Sequence, residues 1–379
     1  MPAKEPESRS AALERHLGFL SADPENPRLL AQCADLALEA GRVDEAQKLI
    51  ERGLALKPED QHFKARLANA RLALNEFEGA IEILEGLVQG VQTVPALRYN
   101  LGYALMHVGR YAEAKEHLAA AIGEVPQAAM MLVRAHHHLG EMDEAIRVAE
   151  TYADAHPEDA EVSGQLAILY FDADDITKAR AWADKAMALP RKTPEAYFTA
   201  GYLALGDEDV KRARELLGRA LELNPKSGRA WSGKGLAEFF GGDPIAAEEA
   251  LGRALEHMPH HAGTWLALGW VRIMRQDFDG AEAAFEKAGE LDAGSGETQG
   301  ALALIDLLRG AGNRAQRRAG RALELDPESL SGQIAKALLD PGDDAARGAA
   351  LGRILSSQQS FKGGSLLELA ARHAARRRR

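Results

Sequence analysis

Residues 98–126 read RYNLGYALMHVGRYAEAKEHLAAAIGEVP, and this stretch decides the fold. It falls into two helix-forming runs hinged at Gly109. Ala, Leu, Glu and Lys fill both, and these residues lose little conformational freedom in a helix. Gly109 suits the end of the first run, because helices commonly terminate in a left-handed residue that glycine adopts cheaply. Pro126 stops the second run, since it can neither donate a backbone hydrogen bond nor fit a helix interior. Gly102, Ala114 and Ala121 are small where two helices of a hairpin must approach closely for ridges to enter grooves.

Working outward, the same pattern recurs along the chain. GRVDEAQKLI, NEFEGAIEIL, GEMDEAIRVA, EDVKRARELL and DFDGAEAAFE all align on one alanine. The landmarks are Ala46, Ala80, Ala114, Ala145, Ala179, Ala213, Ala247, Ala281 and Ala315, spaced by 34 residues except for 31 between Ala114 and Ala145. Turn glycines recur at Gly41, Gly109, Gly140 and Gly242. Acidic pairs such as Asp44–Glu45 and Asp143–Glu144 open second helices, where they complement the positive end of the helix dipole. Prolines 58, 126, 157, 225, 259 and 327 close the repeats. Trp231 and Trp265, with Tyr197 before them, share one position in neighbouring repeats, which marks them as packing residues rather than ligand contacts.

This register resembles the tetratricopeptide repeat (TPR) family, from about residue 27 to 328. The resemblance implies an all-α fold: an α-solenoid, a right-handed superhelix of about nine helix–turn–helix units with capping helices, its inner groove lined by the first helix of each unit. The expected units are 27–60, 61–94, 95–125, 126–159, 160–193, 194–227, 228–261, 262–295 and 296–328. Residues 1–26, including ALERHLGFLSADPENP, read as an N-terminal half-repeat and cap. In 329–379, SLSGQIAKALLD and AARGAALGRILSSQ read as a degenerate repeat, and SLLELAARHAARRRR as a capping helix with a basic tail.

Composition narrows the function. The 379 residues carry a formal net charge of −11, which disfavours nucleic acid because the phosphate backbone is repelled. Cys33 is the single cysteine, so no intrachain disulfide forms, and its place inside a repeat marks it as a small buried residue. The polar N-terminus and the lack of a long apolar run point to a cytoplasmic protein, and abundant Ala and Arg to a bacterial one. The basic tail Arg376–Arg379, with Arg372, is the one cluster that could touch a membrane or an acidic partner, and it reads as a solvated end.

No phosphate-binding glycine loop, nucleophile elbow or zinc-protease motif is present. His136, His137 and His138 are consecutive, so helical geometry splays them about 100° apart. His257, His260 and His261 cluster at a turn without supporting carboxylates. The chain is therefore expected to be no enzyme, with no cofactor, metal or small-molecule substrate.

The resemblance implies a protein or peptide partner held by first-helix residues facing inward. By position these are Tyr99, Tyr103, Met106 and His107, then Met130, Arg134 and His137, then Ile168 and Phe171, Phe198 and Tyr202, Phe239 and Phe240, and Trp270 and Met274. Some members clamp a C-terminal carboxylate with inward lysine and asparagines. Here those positions read as apolar or small, with Asn69 and Asn100 nearby, which favours an apolar or amphipathic segment. The expected role is a chaperone-like adaptor or scaffold. The rival reading is a regulatory or targeting subunit that binds through its convex face or its tail.

Overall fold

A computed structural model describes residues 9–89 and 94–340, and every regular element among them is helical. The chain forms two compact units, Met1–Pro157 and Glu158–Arg379. The first holds α1 (Arg9–Ala22), α2 (Pro27–Glu39), α3 (Val43–Leu56), α4 (Gln61–Ala73), α5 (Phe77–Val88), α6 (Pro95–His107), α7 (Tyr111–Ala121), α8 (Ala128–His138) and α9 (Met142–Ala155). The second holds α10 (Ala160–Asp172), α11 (Ile176–Ala188), α12 (Pro194–Gly206), α13 (Val210–Leu223), α14 (Gly228–Phe240) and α15 (Pro244–His257). It continues with α16 (Ala262–Met274), α17 (Phe278–Leu291), α18 (Gly296–Leu308), α19 (Gly312–Leu325) and α20 (Leu330–Leu339).

From α2 to α19 the helices pair into hairpins, each joined by a three-residue turn. Within each unit, a second helix also packs on the first helix of the following hairpin. First helices touch one another in turn: α2, α4, α6 and α8 in the N-terminal unit, α10, α12, α14 and α16 in the C-terminal one. Each unit is thus two-layered, an α-solenoid with its first helices side by side. The N-terminal half-repeat folds as α1 and SLSGQIAKALLD as α20, while AARGAALGRILSSQ and SLLELAARHAARRRR lie outside the described residues.

The alanine register is a packing register. All nine landmark alanines have no exposed surface. A Cβ on Gly102 would stand 2.6 Å from Leu118 Cγ, and one on Gly235 2.6 Å from Leu251 Cγ, so the helices of these hairpins pack at the limit glycine allows. The 31-residue interval has a local cause. Helices α7 and α8 have 11 residues each, where α13 and α12 have 14 and 13.

The turn is the same in every hairpin, although its residue is not. Gly41, Gly109, Gly140, Gly242 and Gly310 have positive φ, and so do Asn75, Asp174, Glu208 and Gln276 at the equivalent positions. The register forces four side-chain-bearing residues into the left-handed region, which asparagine and aspartate tolerate and the longer two resist. Asn26, Asp60, Asp159, Ser227, His261, Ser295 and Ser329 cap first helices through their side chains.

Trp231 and Trp265 are half-buried packing residues, as the register implied. Each indole N–H donates to a proline carbonyl six residues upstream, Pro225 and Pro259, at 2.8 Å. That bond ties the start of a first helix to the preceding turn.

Candidate binding groove

The expected groove residues fall into two sets, one in each unit. In the N-terminal unit, α6 presents Tyr99, Tyr103 and Met106 half-buried and His107 exposed. The Tyr103 ring lies 6.5 Å from Tyr99 and 4.6 Å from His107, and Phe77 stacks on His107 at 4.3 Å. Partial burial pushes the Tyr99 phenol pKa upward. On α8, Arg134 and His137 are half-buried, whereas Met130 is buried.

Several first-helix positions of this unit are polar and paired, where the sequence reading expects apolar or small residues with Asn69 and Asn100 nearby. Arg66 makes a two-pronged bond to Asp35 at 2.8 Å on each arm, linking α4 to α2. Asn100 donates to Asn69 at 2.8 Å, linking α6 to α4. A polar ladder therefore runs along these first helices.

The C-terminal unit is different. A cavity of about 670 Å³ opens between its first helices and the start of α11, and its apolar wall includes Phe171, Ile176, Tyr202, Leu236, Phe240 and Ala267. Asp172, Asp174, Asp207 and Arg180 add charge, and Ser232 and His261 add hydrogen-bonding capacity. Phe198 lies beside this wall, 4.8 Å from Tyr202 and 6.3 Å from Phe171. The Arg229 guanidinium sits over the Phe198 ring at 4.6 Å and makes two bonds to Asp172, at 2.6 and 3.1 Å. It thereby joins α14 to α10 across α12.

In this unit three expected contact residues are core instead, as Met130 is in the other, while Phe240, 6% exposed, is shared between the core and the cavity wall. Phe198 and Trp270 are each only 4% exposed and Phe239 2%. Phe198 is covered by Arg229. Phe239 lies about 100° round the helix from Phe240, so once Phe240 takes the cavity wall Phe239 points into the core. Trp270 packs edge-on against Phe285, whose ring lies against Gly269 where no Cβ could fit. Met274 is exposed as expected, and Ile168 is half-buried against the core. Phe171, Tyr202 and Phe240 are thus brought together.

Sequence reasoning missed Leu236, Ser232, His261 and Arg229. The first two were within reach of the register: Leu236 lies one 34-residue step after Tyr202, and Ser232 one step after Phe198. No comparable signal links Arg229 to Asp172.

Cys33 is buried, and burial raises its thiol pKa, which suppresses the nucleophilic thiolate. Among the described residues no group of three His, Cys, Asp or Glu side chains is placed to hold a metal ion, and no helix is long and apolar enough to cross a membrane.

Stacked helical hairpins with a ligand-sized concavity define an α-solenoid of the protein-interaction type. Tetratricopeptide repeat profiles match residues 10–70, 99–160, 143–195, 198–244 and 241–305, and the chain belongs to the tetratricopeptide repeat family. No curated protein aligns significantly with the sequence. Among solved structures, the human IFIT1 dimer with m7Gppp-AAAA is similar at a TM-score of 0.56 and 16% identity, over 92% of this chain and 90% of that one. A monomeric IFIT1 mutant with Gppp-AAAA gives 0.56 and 14%, over 93% and 90%. The Cut9–Hcn1 hetero-tetramer of the APC/C gives 0.49 and 13%, over 92% and 93%. At such identities the likeness speaks for the fold alone.

Proposed function

We propose that this scaffold holds an apolar or amphipathic segment of a protein partner in the cavity of its C-terminal unit, against Phe171, Tyr202, Leu236 and Phe240. The observation that carries the reading is the cavity itself. It has the volume of a ligand site and a mostly apolar wall, and it lies on the first helices, where this family places its ligands. A partner side chain entering it would bury aromatic and aliphatic surface on both sides, the usual source of an interface hot spot. The IFIT1 structures contain RNA fragments. Here Asp172, Asp174 and Asp207 line the cavity, and they have the wrong sign for a phosphate chain. A protein segment is therefore favoured over RNA.

The test is partner capture from the native host with three versions of the chain. Leu236→Glu places a charge in the apolar wall at a half-buried position, and should abolish capture while leaving the helical circular dichroism intact. Tyr103→Ala, in the N-terminal unit, should leave capture unchanged. Retention of every partner by Leu236→Glu sinks the proposal. Loss with Tyr103→Ala alone moves the site to the N-terminal unit.

A further inference from the structure

The cavity contains a hydrogen-bonded chain whose direction can be worked out. His261 caps α16, and its Nδ1 accepts the backbone N–H of Thr264 at 3.2 Å. An imidazole nitrogen that accepts carries no proton, so the Thr264 hydroxyl, 2.8 Å away, must donate to it. With its proton spent there, Thr264 Oγ1 can only accept from Ser232, at 3.2 Å. Ser232 is therefore the donor in that contact, and its oxygen, which also hydrogen-bonds Tyr202, is left with lone pairs only on the cavity it lines. Tyr202, on the same wall, gives its phenolic proton to the Arg229 carbonyl at 3.3 Å. Both neutral oxygens of the cavity are thus acceptors.

The charged groups point the same way. Three carboxylates line the cavity against one guanidinium, Arg180, which pairs with Asp207 at 2.9 Å. Arg229, just outside the lining, is held by Asp172. Asp175, Glu208 and Asp209 follow the lining carboxylates directly in sequence, with Lys178, Lys211 and Arg212 as the nearby cations. Even with every one of these cations counted, acid exceeds base.

Resting on the groove reading above, we infer that the occupant is a partner segment whose apolar side chains are flanked by lysine or arginine, with cationic N–H donors meeting the Ser232 and Tyr202 oxygens and the Asp172, Asp174 and Asp207 carboxylates. Apolar stems pack on Leu236 and Phe240, and the charged heads find acceptors at the carboxylates and hydroxyl oxygens of the lining. An acidic segment would meet mostly lone pairs and carboxylates, with the His261 Nε2–H and the Asp207-paired Arg180 as the donors in the lining.

The test measures fluorescence anisotropy of short labelled peptides sharing one leucine–tryptophan core, flanked by arginines, glutamines or glutamates, on the full chain. The arginine peptide should bind about tenfold more tightly than the glutamine peptide at low ionic strength, and the glutamate peptide most weakly. Asp174→Asn with Asp207→Asn should erase most of the arginine advantage; asparagine also tolerates the left-handed backbone of residue 174. Ser232→Ala should weaken the arginine and glutamine peptides about threefold, through one lost hydrogen bond each, and leave the glutamate peptide as it was. Glu116→Gln with Asp154→Asn, exposed in the other unit, controls for bulk charge.

Equal or tighter binding of the glutamate peptide overturns the inference and leaves the groove reading standing. So does an equal loss with the control pair, which would make the attraction non-specific. Binding that requires removal of 341–379 also overturns it, because the occupant is then the chain's own basic segment. A dimer dispersed by the peptide, seen by light scattering, overturns it in favour of a second copy. No binding by any of the peptides refutes the groove reading itself.

Discussion

The two units are built from one register and present opposite surfaces. At the first-helix position six residues before the turn, the N-terminal unit carries Asp35, Asn69, Tyr103 and Arg134, whereas the C-terminal unit carries Ile168, Tyr202, Leu236, Trp270 and Leu304. Three residues earlier the difference is partial: Gln32, Arg66, Asn100 and Met131 against Gln165, Thr199, Gly233, Ala267 and Ala301. In the first unit part of this set is paired internally, Arg66 with Asp35 and Asn100 with Asn69. In the second, Tyr202, Leu236 and Ala267 line an open cavity. Hence the scaffold residues are common to both units, and specificity resides in the few positions the hairpin leaves free.

The largest expected effect tests what the units share. Ala213 has no exposed surface at the α12–α13 hairpin, so Ala213→Leu should overpack it and cost roughly 1–3 kcal/mol, read as a lowered melting temperature. Since solenoid contacts are between neighbours, hydrogen exchange should rise around α11 to α14 first. Unchanged melting would mean that the alanine register is not a packing register.

A smaller effect comes from the turns. Gln276 takes the left-handed backbone that Gly242 and Gly310 take in adjacent hairpins. Gln276→Gly relieves that strain at some entropic cost, for a net gain of about 0.5–1 kcal/mol, while Gly242→Ala should lose about 1 kcal/mol. Chemical denaturation of the pair checks both signs.

The smallest effect is a pH dependence within the C-terminal unit. Partial burial, and then the Arg229 guanidinium, lower the His261 pKa below the ordinary histidine value. A depressed pKa means that the folded state resists protonation. The contribution of His261 is therefore fully present above about pH 6.5 and is lost as the pH falls through the lowered value. The residue is exposed enough for solvent to screen the effect, so only about a few tenths of a kcal/mol should be lost. His261→Ser keeps an N-cap hydroxyl, as Ser227 and Ser295 do, and should remove this part of the pH dependence.

How much could be read in the sequence follows from which residues repeat. The nine alanines fixed the hairpins because a small residue at a helix crossing admits no substitute of ordinary size. Turn glycines were legible at Gly41 or Gly109. Glu208 and Gln276 adopt the same backbone without announcing it, because hairpin packing overrides their preference. Among the expected groove residues, Phe171, Tyr202 and Phe240 line the cavity. Phe239 and Trp270 do not, because an aromatic side chain serves a core as well as a surface and a one-residue step turns a helix face by about 100°. The Arg229–Asp172 pair spans 57 residues and depends on how three first helices stack, which no local pattern encodes.

The central claim is that the partner segment lies on the C-terminal unit's first helices. Site-specific photo-crosslinking tests it most directly, with a benzophenone residue placed at Leu236 in one version of the chain and at Tyr103 in another. The account predicts that the captured partner crosslinks at 236 and not at 103. Efficient crosslinking at 103 with none at 236 would contradict it.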